Sequence, residues 1–547
     1  MQNNKLIHHS LLSASLTIAV GMVMILFQSC SSTTTIGKTI ELPPSIVYAE
    51  NDTTILGTFS NVENQFIIAP YFCASLEKDI KVLLAQKDAK GNYVYHKVDG
   101  TPYDLYEDEL SIYTTLNPTM QQYAEEAIQK HLMGDLQPAF TKNNAKGKHI
   151  PFSDSYNGHR MQTEDIESIM KRAREQSERY QAMAKAGISK EKINARFNER
   201  VAMKVFSWEG EIDTILTPND SILYVKNFIQ SSLLSIEPST GYVKAWVGGI
   251  NFDHFPFDRV KTNKRPFGST IKSFMYASAM SMGVIEPCTE FSGRTYCVEP
   301  CEPRGKRWCP SGSAIGNVKS NFAVSRSSIS VPVMSLMGAC SGPQTLTKIL
   351  DRMNIVVPYD MVTPSMCLGT PDVSLYENVS AQATFVNNGI YVEPQTVLRI
   401  TDREGNEIYA AQPNLEEVFN STVAFEQLKI MKGVIDFGTS TSLKWSPKWG
   451  GIKVPTAGIT GTTQGNSDGW FIGLTPDLVT GVWSGADEMQ VRFRSMSWGQ
   501  GARMALPVYG YYMQKVYSDS TLKISTKDFI QPNDYDATFF NCGHDAH

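Results

Sequence analysis

Lys264-Arg265-Pro266-Phe267-Gly268-Ser269-Thr270-Ile271-Lys272-Ser273-Phe274 places a serine three residues before a lysine, directly after a glycine and an Arg-Pro turn. On a helix, residues i and i+3 share a face. The Lys272 amine therefore reaches the Ser269 hydroxyl and, once desolvated, takes its proton. The spacing alone carries little information, because Ser75, Ser168, Ser189 and Ser520 each open the same Ser-x-x-Lys. What sets Ser269 apart is its context: a hairpin before it, and a glycine that permits a tight turn into the following helix.

Outward from that point, Leu233-Leu234-Ser235-Ile236 and Tyr242-Val243-Lys244-Ala245-Trp246-Val247 flank Glu237-Pro238-Ser239-Thr240-Gly241, the composition of a β-hairpin. A helix rich in Ala, Met and Ser follows Ser269. Near the end, Gly469-Trp470-Phe471-Ile472-Gly473-Leu474 and Leu478-Val479-Thr480-Gly481-Val482-Trp483 bracket Thr475-Pro476-Asp477, a second hairpin. Upstream, residues 110–115 alternate as a strand, and Asn117-Pro118 opens a helix with Met120, Tyr123, Ala124, Ala127 and Ile128 at helical spacing. Thr163 caps a second long helix with Ile166, Ile169, Met170, Ala173 and Tyr180 on its apolar face and Gly187 as its stop. Strands, then helices, then strands again give an α+β fold, an antiparallel sheet backed by helices. Residues 31–109 read as a connector with a short helix near 75–84, residues 110–225 as a helix-rich linker, 226–520 as the main domain and 521–547 as a polar tail.

A chain of 547 residues that is 42% hydrophobic, 19% charged and 10% aromatic is an ordinary folded body, which excludes long disorder. Lys+Arg of 50 against Asp+Glu of 55 leaves a net charge of −5. That balance argues against nucleic acid or an acidic lipid surface as partner and for a specific ligand. The uncharged apolar run 11–27 follows Lys5, His8 and His9, and its length lies between a signal-peptide core and a spanning helix. Gln28-Ser29-Cys30-Ser31-Ser32 then resembles a bacterial lipoprotein signal. Residues 1–30 are thus expected to anchor an exported chain, by an N-terminal helix or by a lipidated Cys30. Of nine cysteines, Cys288, Cys297, Cys301 and Cys309 cluster. Disulfides or buried thiols fit them better than zinc, because their spacing lacks tight pairs and encloses no histidine. No metal and no cofactor are expected.

The context of Ser269 resembles the transpeptidase domain of class A penicillin-binding proteins, whose first motif is Gly-Ser-x-x-Lys after an arginine. The resemblance extends through Ile112-Tyr113-Thr114-Thr115-Leu116-Asn117-Pro118, through residues 238–249, and through Thr460-Gly461-Thr462-Thr463 followed by Asp468-Gly469-Trp470. It ends with Gly499-Gln500-Gly501-Ala502 and Ala505-Leu506-Pro507, covers about residues 105–530, and is nearest to members from the Bacteroidetes. It implies the penicillin-binding-protein and serine β-lactamase type of fold. Asp468 is implied to sit in a structural turn, without a catalytic role.

Three departures qualify the resemblance. Class A members carry a glycosyltransferase domain before the segment that resembles 110–127, and residues 31–109 hold no Glu-Asp-x-x-Phe-x-x-His-like element; no glycosyltransferase activity is expected. The third motif of the family is Lys-Thr-Gly, but Ile459 precedes Thr460-Gly461 here. A branched hydrocarbon makes no charge-assisted hydrogen bond, a contact worth about 1.5–3 kcal/mol. The second motif is Ser-x-Asn, and within 322–332 one register sets Ser327 and Ile329 at those positions, whereas a shift of one sets Ser328 and Ser330 there; neither restores the amide.

The resemblance then implies two alternatives. In one, Ser269 attacks the D-Ala-D-Ala carbonyl of a peptidoglycan stem peptide, Lys272 accepts its proton and Ser327 relays it to the leaving group, with Thr460, Gly461 and Thr462 lining the substrate edge. The backbone N–H groups of Ser269 and Thr462 would hold the oxyanion. β-Lactams would acylate the same serine, and other cell-wall synthesis proteins are the implied partners on the periplasmic side of the envelope. In the other, the chain is a pseudoenzyme that keeps the fold and binds without turning over.

Overall fold

Two sheets position the rest of the molecule. The computed structural model describes residues 43–542 apart from 157, 294–295, 299–306, 311, 313–314 and 534. The apolar run 11–27 and Cys30 lie outside the described residues. In chain order the strands of these two sheets are β1 (Ser45–Tyr48), β2 (Ile55–Phe59), β3 (Gln65–Phe66), β4 (Ser111–Thr114), β5 (Gln230–Ile236), β6 (Val243–Val247), β7 (Val397–Thr401), β8 (Glu407–Ala410), β9 (Ala457–Thr462), β10 (Asp468–Leu474) and β11 (Val479–Gly485). The central sheet runs β6-β5-β11-β10-β9 with every neighbouring pair antiparallel. The other sheet runs β8-β7-β4-β1-β2-β3, and its β1 and β4 are parallel.

The helices used below are α1 (Pro70–Leu84), α2 (Pro118–His131), α3 (Lys272–Ser281), α4 (Val318–Ala323), α5 (Ser327–Met337), α6 (Leu375–Val386), α7 (Ser421–Asp436) and α8 (Leu506–Ser518). Successive strand side chains point to opposite faces, and the central sheet uses both. Leu234, Ile459, Trp470 and Ile472 join one core with residues of α3, α6 and α7. Leu233, Phe471 and Val482 join the other with residues of α2 and α8. Burial on both faces is why β5, β10 and β11 are buried at every position, polar residues such as Ser231 and Ser484 included, which pair with each other inside the sheet. The fold is α+β, with an antiparallel sheet between helices.

Both expected hairpins are present, as β5–β6 and β10–β11. The strand and helix around residue 115 are also present: Asn117 caps α2 by accepting from the Met120 N–H at 2.8 Å. Other elements differ from the sequence reading. The long helix after residue 162 is two helices, Thr163–Gln176 and Glu178–Lys185, capped first by Gln162 and then by Ser177. The Ser177 hydroxyl accepts from the Tyr180 N–H, and a serine that can cap a new turn competes with the helix it interrupts. Within 43–109, read from sequence as a connector, β1, β2, β3 and α1 build part of a sheet and bury Leu56, Phe59, Phe72, Leu76 and Ile80 in the first core. The cysteine cluster is oxidised in part: Cys297 bonds Cys309, and Cys288 bonds Cys542, which ties the C-terminal segment back across the fold. Cys340 is disulfide-bonded as well, and Cys301 lies outside the described residues. None of the helices among the described residues is long and apolar enough to cross a membrane.

A buried glutamine joins the two layers. On the edge strand β6, the Trp246 N–H donates to Gln121 Oε1 at 2.7 Å and the Gln121 amide returns a bond to the Trp246 carbonyl at 3.0 Å. The side chain thus stands in for a missing neighbouring strand. Gln121→Ala leaves two buried backbone groups unpaired, and urea denaturation should show a loss of about 2–4 kcal/mol.

Candidate active site

The segment that carries Ser269 enters α3 through a single 3-10 turn, Gly268–Ile271. In such a turn side chains at i and i+3 eclipse, so Ser269 and Lys272 lie on one face. The Lys272 N–H donates to the Ser269 carbonyl and fuses the turn to the helix. Gly268 has a φ of +54°, and a Cβ there would lie 3.0 Å from the Thr462 carbonyl oxygen. Only glycine lets this backbone approach β9 so closely.

The turn is fastened from several sides. Phe267 N–H donates to the Pro371 carbonyl at 2.9 Å, and Gly268 N–H to the Gly369 carbonyl at 3.1 Å. From α6, the Asn378 amide donates to Thr270 Oγ1 at 2.9 Å and the Gln382 amide to the Thr270 carbonyl at 3.1 Å. Upstream, Arg265 Nη2 donates to the carbonyls of Ala486 and Asp487 at 2.6 and 2.7 Å. Asp468 is fully buried and accepts from the hydroxyls of Thr463 and Ser467 and from the Trp483 indole. It is a structural carboxylate that ties β10 to β11.

Lys272 is 1% exposed. Its amine donates to the Ser325 carbonyl at 2.7 Å and lies 3.3 Å from Ser325 Oγ and 3.4 Å from Ser327 Oγ. Burial pushes its pKa down to about 7. The Cys367 thiol nearby is itself pushed up to about 12 by burial, so it stays neutral and supplies no counter-charge. The reach of the Lys272 amine to the Ser269 hydroxyl expected from the spacing is not a hydrogen bond here. Among the described residues the Ser269 hydroxyl makes no side-chain hydrogen bond, and the amine is turned to Ser325 and Ser327, whose carbonyl and hydroxyls it meets.

Ser325 owes its place to the end of α4. The Arg326 N–H donates to the Asn321 carbonyl at 3.0 Å and the Ser325 N–H to the Phe322 carbonyl at 2.8 Å, which is a Schellman cap. Its left-handed residue, normally glycine, is Ser325 with a φ of 53°. That conformation presents both the carbonyl and the hydroxyl to Lys272. Of the two registers read from sequence, neither is the set gathered at the amine. Ser325 and Ser327 are, whereas Ile329 and Ser330 are fully buried.

The facing wall is β9, an edge of the central sheet. Thr463 N–H pairs inward to the Asp468 carbonyl. By ladder alternation the N–H and C=O groups of Thr460 and Thr462 then point to the open edge, toward Gly268 and Ser269. Thr460 Oγ1 hydrogen-bonds Thr439 Oγ1 at 2.9 Å, and Thr462 Oγ1 accepts from the Gly501 N–H at 3.0 Å. A Cβ on Gly461 would lie 3.0 Å from the Thr270 methyl, which seats the strand on the turn that carries Ser269. Ile459 is 2% exposed within the first core. Among the described residues no group of three or more His, Cys, Asp or Glu side chains is placed to hold a metal.

Residues 232–490 match the penicillin binding protein transpeptidase domain, and residues 151–229 the penicillin-binding protein middle domain. The chain carries a penicillin-binding-protein transpeptidase domain. Penicillin-binding protein 1A of Aquifex aeolicus is 26% identical over 463 residues, 81% of this chain and 58% of that protein. The same protein of Neisseria gonorrhoeae is 29% identical over 296 residues, 52% of this chain and 36% of its own length. The chain therefore spans about a third to three fifths of these relatives. Among solved structures, penicillin-binding protein 1A from Haemophilus influenzae has a TM-score of 0.56 at 17% identity, covering 84% of this chain and 72% of that one. Penicillin-binding protein A from M. tuberculosis, as a ceftriaxone acyl-enzyme complex, has a TM-score of 0.52 at 13% identity, covering 87% and 98%. These two establish the fold of the transpeptidase domain.

Two features of this site escape the sequence. Ser325 lies in a run of serines with no glycine to flag a helix cap, and Asn378 and Gln382 are more than a hundred residues from Thr270. The depressed Lys272 pKa gives a signed expectation. If the free amine accepts the proton of Ser269, the competent fraction grows as pH rises through about 7. Acylation of Ser269 by a fluorescent penicillin should therefore speed up about tenfold from about pH 6 to about pH 8 and then level off. A flat profile, or one rising only above about pH 9, would show that the amine does not act as that base.

Proposed function

We propose that this chain is a penicillin-binding protein of the bacterial cell envelope that forms an acyl-serine at Ser269 from D-Ala-D-Ala ends of peptidoglycan stem peptides. The observation that carries the reading is a desolvated amine three residues after Ser269, held by Ser325 and Ser327 and set near an open strand edge. In this reading Ser269 Oγ attacks the penultimate carbonyl and its proton passes to the neutral Lys272 amine. The N–H groups of Ser269 and Thr462 hold the oxyanion. Ser325, with Ser327 beside it, relays the proton to the departing D-Ala nitrogen. A stem-peptide amine or water then attacks the ester and releases the serine. β-Lactams enter the same path and stop at the ester. Residues 1–30 anchor the chain with the domain on the periplasmic side, next to other wall-synthesis proteins.

The residue before Thr460 favours a second reading. Ile459 offers the substrate carboxylate no cation, and Ser327 stands at the third position of Ser325-Arg326-Ser327, where the family has asparagine. A site that binds stem peptides and turns over slowly or not at all fits those two positions.

A fluorescent penicillin separates the two readings. Covalent labelling of the wild-type chain that Ser269→Ala abolishes supports acyl transfer, and no labelling after hours at saturating probe removes it. Ile459→Lys should raise the acylation rate about tenfold or more, since a charge-assisted contact of about 1.5–3 kcal/mol is regained. An unchanged rate in a folded variant would locate the defect elsewhere.

A further inference from the structure

The described residues of the C-terminal segment 519–542 run across α7 and end beside α4. Near the start of the segment the Ser525 N–H donates to Asp477 Oδ2 at 2.6 Å. Asp528 then pairs with Lys432 at 3.1 Å, the Tyr535 ring packs on Phe425 with centroids 4.9 Å apart, and the Lys429 amine donates to the Tyr535 hydroxyl at 3.2 Å. Phe425, Lys429 and Lys432 are spaced i, i+4 and i+7, so a single stripe of α7 receives these contacts. Phe540 lies under the amines of Lys319, on α4, and Lys429, at 4.8 and 4.3 Å. Two residues on, Cys542 closes the disulfide to Cys288.

That disulfide stands at the base of α4. Pro287 and Thr289, on either side of Cys288, accept from the Lys319 and Val318 N–H groups at 3.0 Å, and so satisfy two of the donors that a helix leaves unpaired at its first turn. α4 has 6 residues and spans about 9 Å. Its far end is the turn that sets Ser325 against Lys272. What holds the first turn of this short helix therefore also holds the oxygens that face the amine.

The segment is not close-packed on the helix it crosses. A cavity of about 390 Å³ lies between them, with Phe425, Lys429 and Gly433 of α7 on one side and Phe529 and Phe540 on the other. Open space forfeits the contacts that packing would supply, so the covalent tether carries much of the attachment. Cys288 and Cys542 are both part-exposed. An attacking thiolate reaches them, and exposed disulfides are the labile ones.

We propose that Cys288–Cys542 is a thiol-operated latch on the site: its reduction frees the C-terminal segment, loosens α4 and slows acylation at Ser269. The effect on acylation rests on the acyl-serine reading; the effect on α4 does not. A dithiol reductant opens the latch. One of its thiolates attacks a sulfur of the disulfide, forming a mixed disulfide and releasing the other cysteine, and its second thiolate then displaces the remaining cysteine sulfur. Two electrons pass to the protein, two protons from the reductant complete the cysteine thiols, and the reductant leaves as a disulfide.

The test takes the detergent-solubilised full chain, oxidised or treated with dithiothreitol, and follows amide hydrogen exchange and the rate of fluorescent-penicillin labelling. Reduction should lower the protection of residues 318–326 about tenfold or more and slow labelling about fivefold or more, while the central sheet keeps its protection. Oxidised glutathione should restore both. Cys288→Ser/Cys542→Ser should match the reduced chain and lose the response, whereas Cys297→Ser/Cys309→Ser should keep it. Unchanged exchange at 318–326 in the reduced chain, equal labelling rates in the two states, or a response that survives in Cys288→Ser/Cys542→Ser overturns the latch. Exchange lost through the central sheet as well overturns it too, because the bond is then a staple for the whole fold. The wild-type chain decides if the serine variant fails to fold. No labelling in either state removes the acyl-serine reading and leaves exchange at 318–326 to decide the latch.

Discussion

Everything at the site depends on a lysine amine kept out of water with no charge to balance it. Taking an ammonium out of water costs more than any single neutral hydrogen bond returns, so the group's pKa falls until the neutral amine is accessible. Lys272 meets this condition because α3 is buried almost along its length and because its partners, the Ser325 carbonyl and the two serine hydroxyls, are neutral. A carboxylate in the same place would pull the pKa back up and leave a cation unable to accept a proton. The absence of an ion pair to this lysine among the described residues is therefore part of its chemistry.

The surrounding fold holds that amine between two rigid edges. One is the Schellman turn after α4, where a non-glycine residue is kept in a left-handed conformation and points two oxygens at the amine. Such strain persists only when the neighbourhood over-determines it. Here the α4–α5 segment is pinned by the packing of α7, and Thr439, three residues beyond that helix, donates its N–H to the Ala323 carbonyl at 3.1 Å. The other is β9, whose outward groups lack a neighbouring strand and face Gly268. An unpaired strand edge is ordinarily a liability; it is also a row of fixed donors and acceptors to which an extended peptide can add. The opposite edge, β6, is closed by Gln121. The sheet is thus left open on the side where Ser269 stands.

The departures in the second and third motifs are unequal in consequence. Ile459 is sealed in the core, so its position now serves packing, and a cation is missing outright. Ser327 keeps a hydroxyl 3.4 Å from the amine, so the change from an amide there removes reach and a donor pair but leaves a polar group in place.

The sequence by itself determined the local items. Gly268 before Ser269 fixed the tight turn, the three-residue spacing fixed the shared face of Ser269 and Lys272, and the two apolar hairpins around Pro238 and Pro476 fixed the antiparallel sheet. All of these follow from backbone rules acting over a few residues. Tertiary structure alone decided which serine answers the lysine. Ser325, Ser327, Ser328 and Ser330 are equivalent in composition, and the choice depends on where α4 ends relative to a helix some fifty residues earlier. It also decided the Asn378 and Gln382 clamp on Thr270, the role of 43–109 as sheet and core, and the union of Cys288 with Cys542. Contacts between segments far apart in the chain leave no periodic trace in either, because each segment's pattern is set by its burial and not by the identity of its partner.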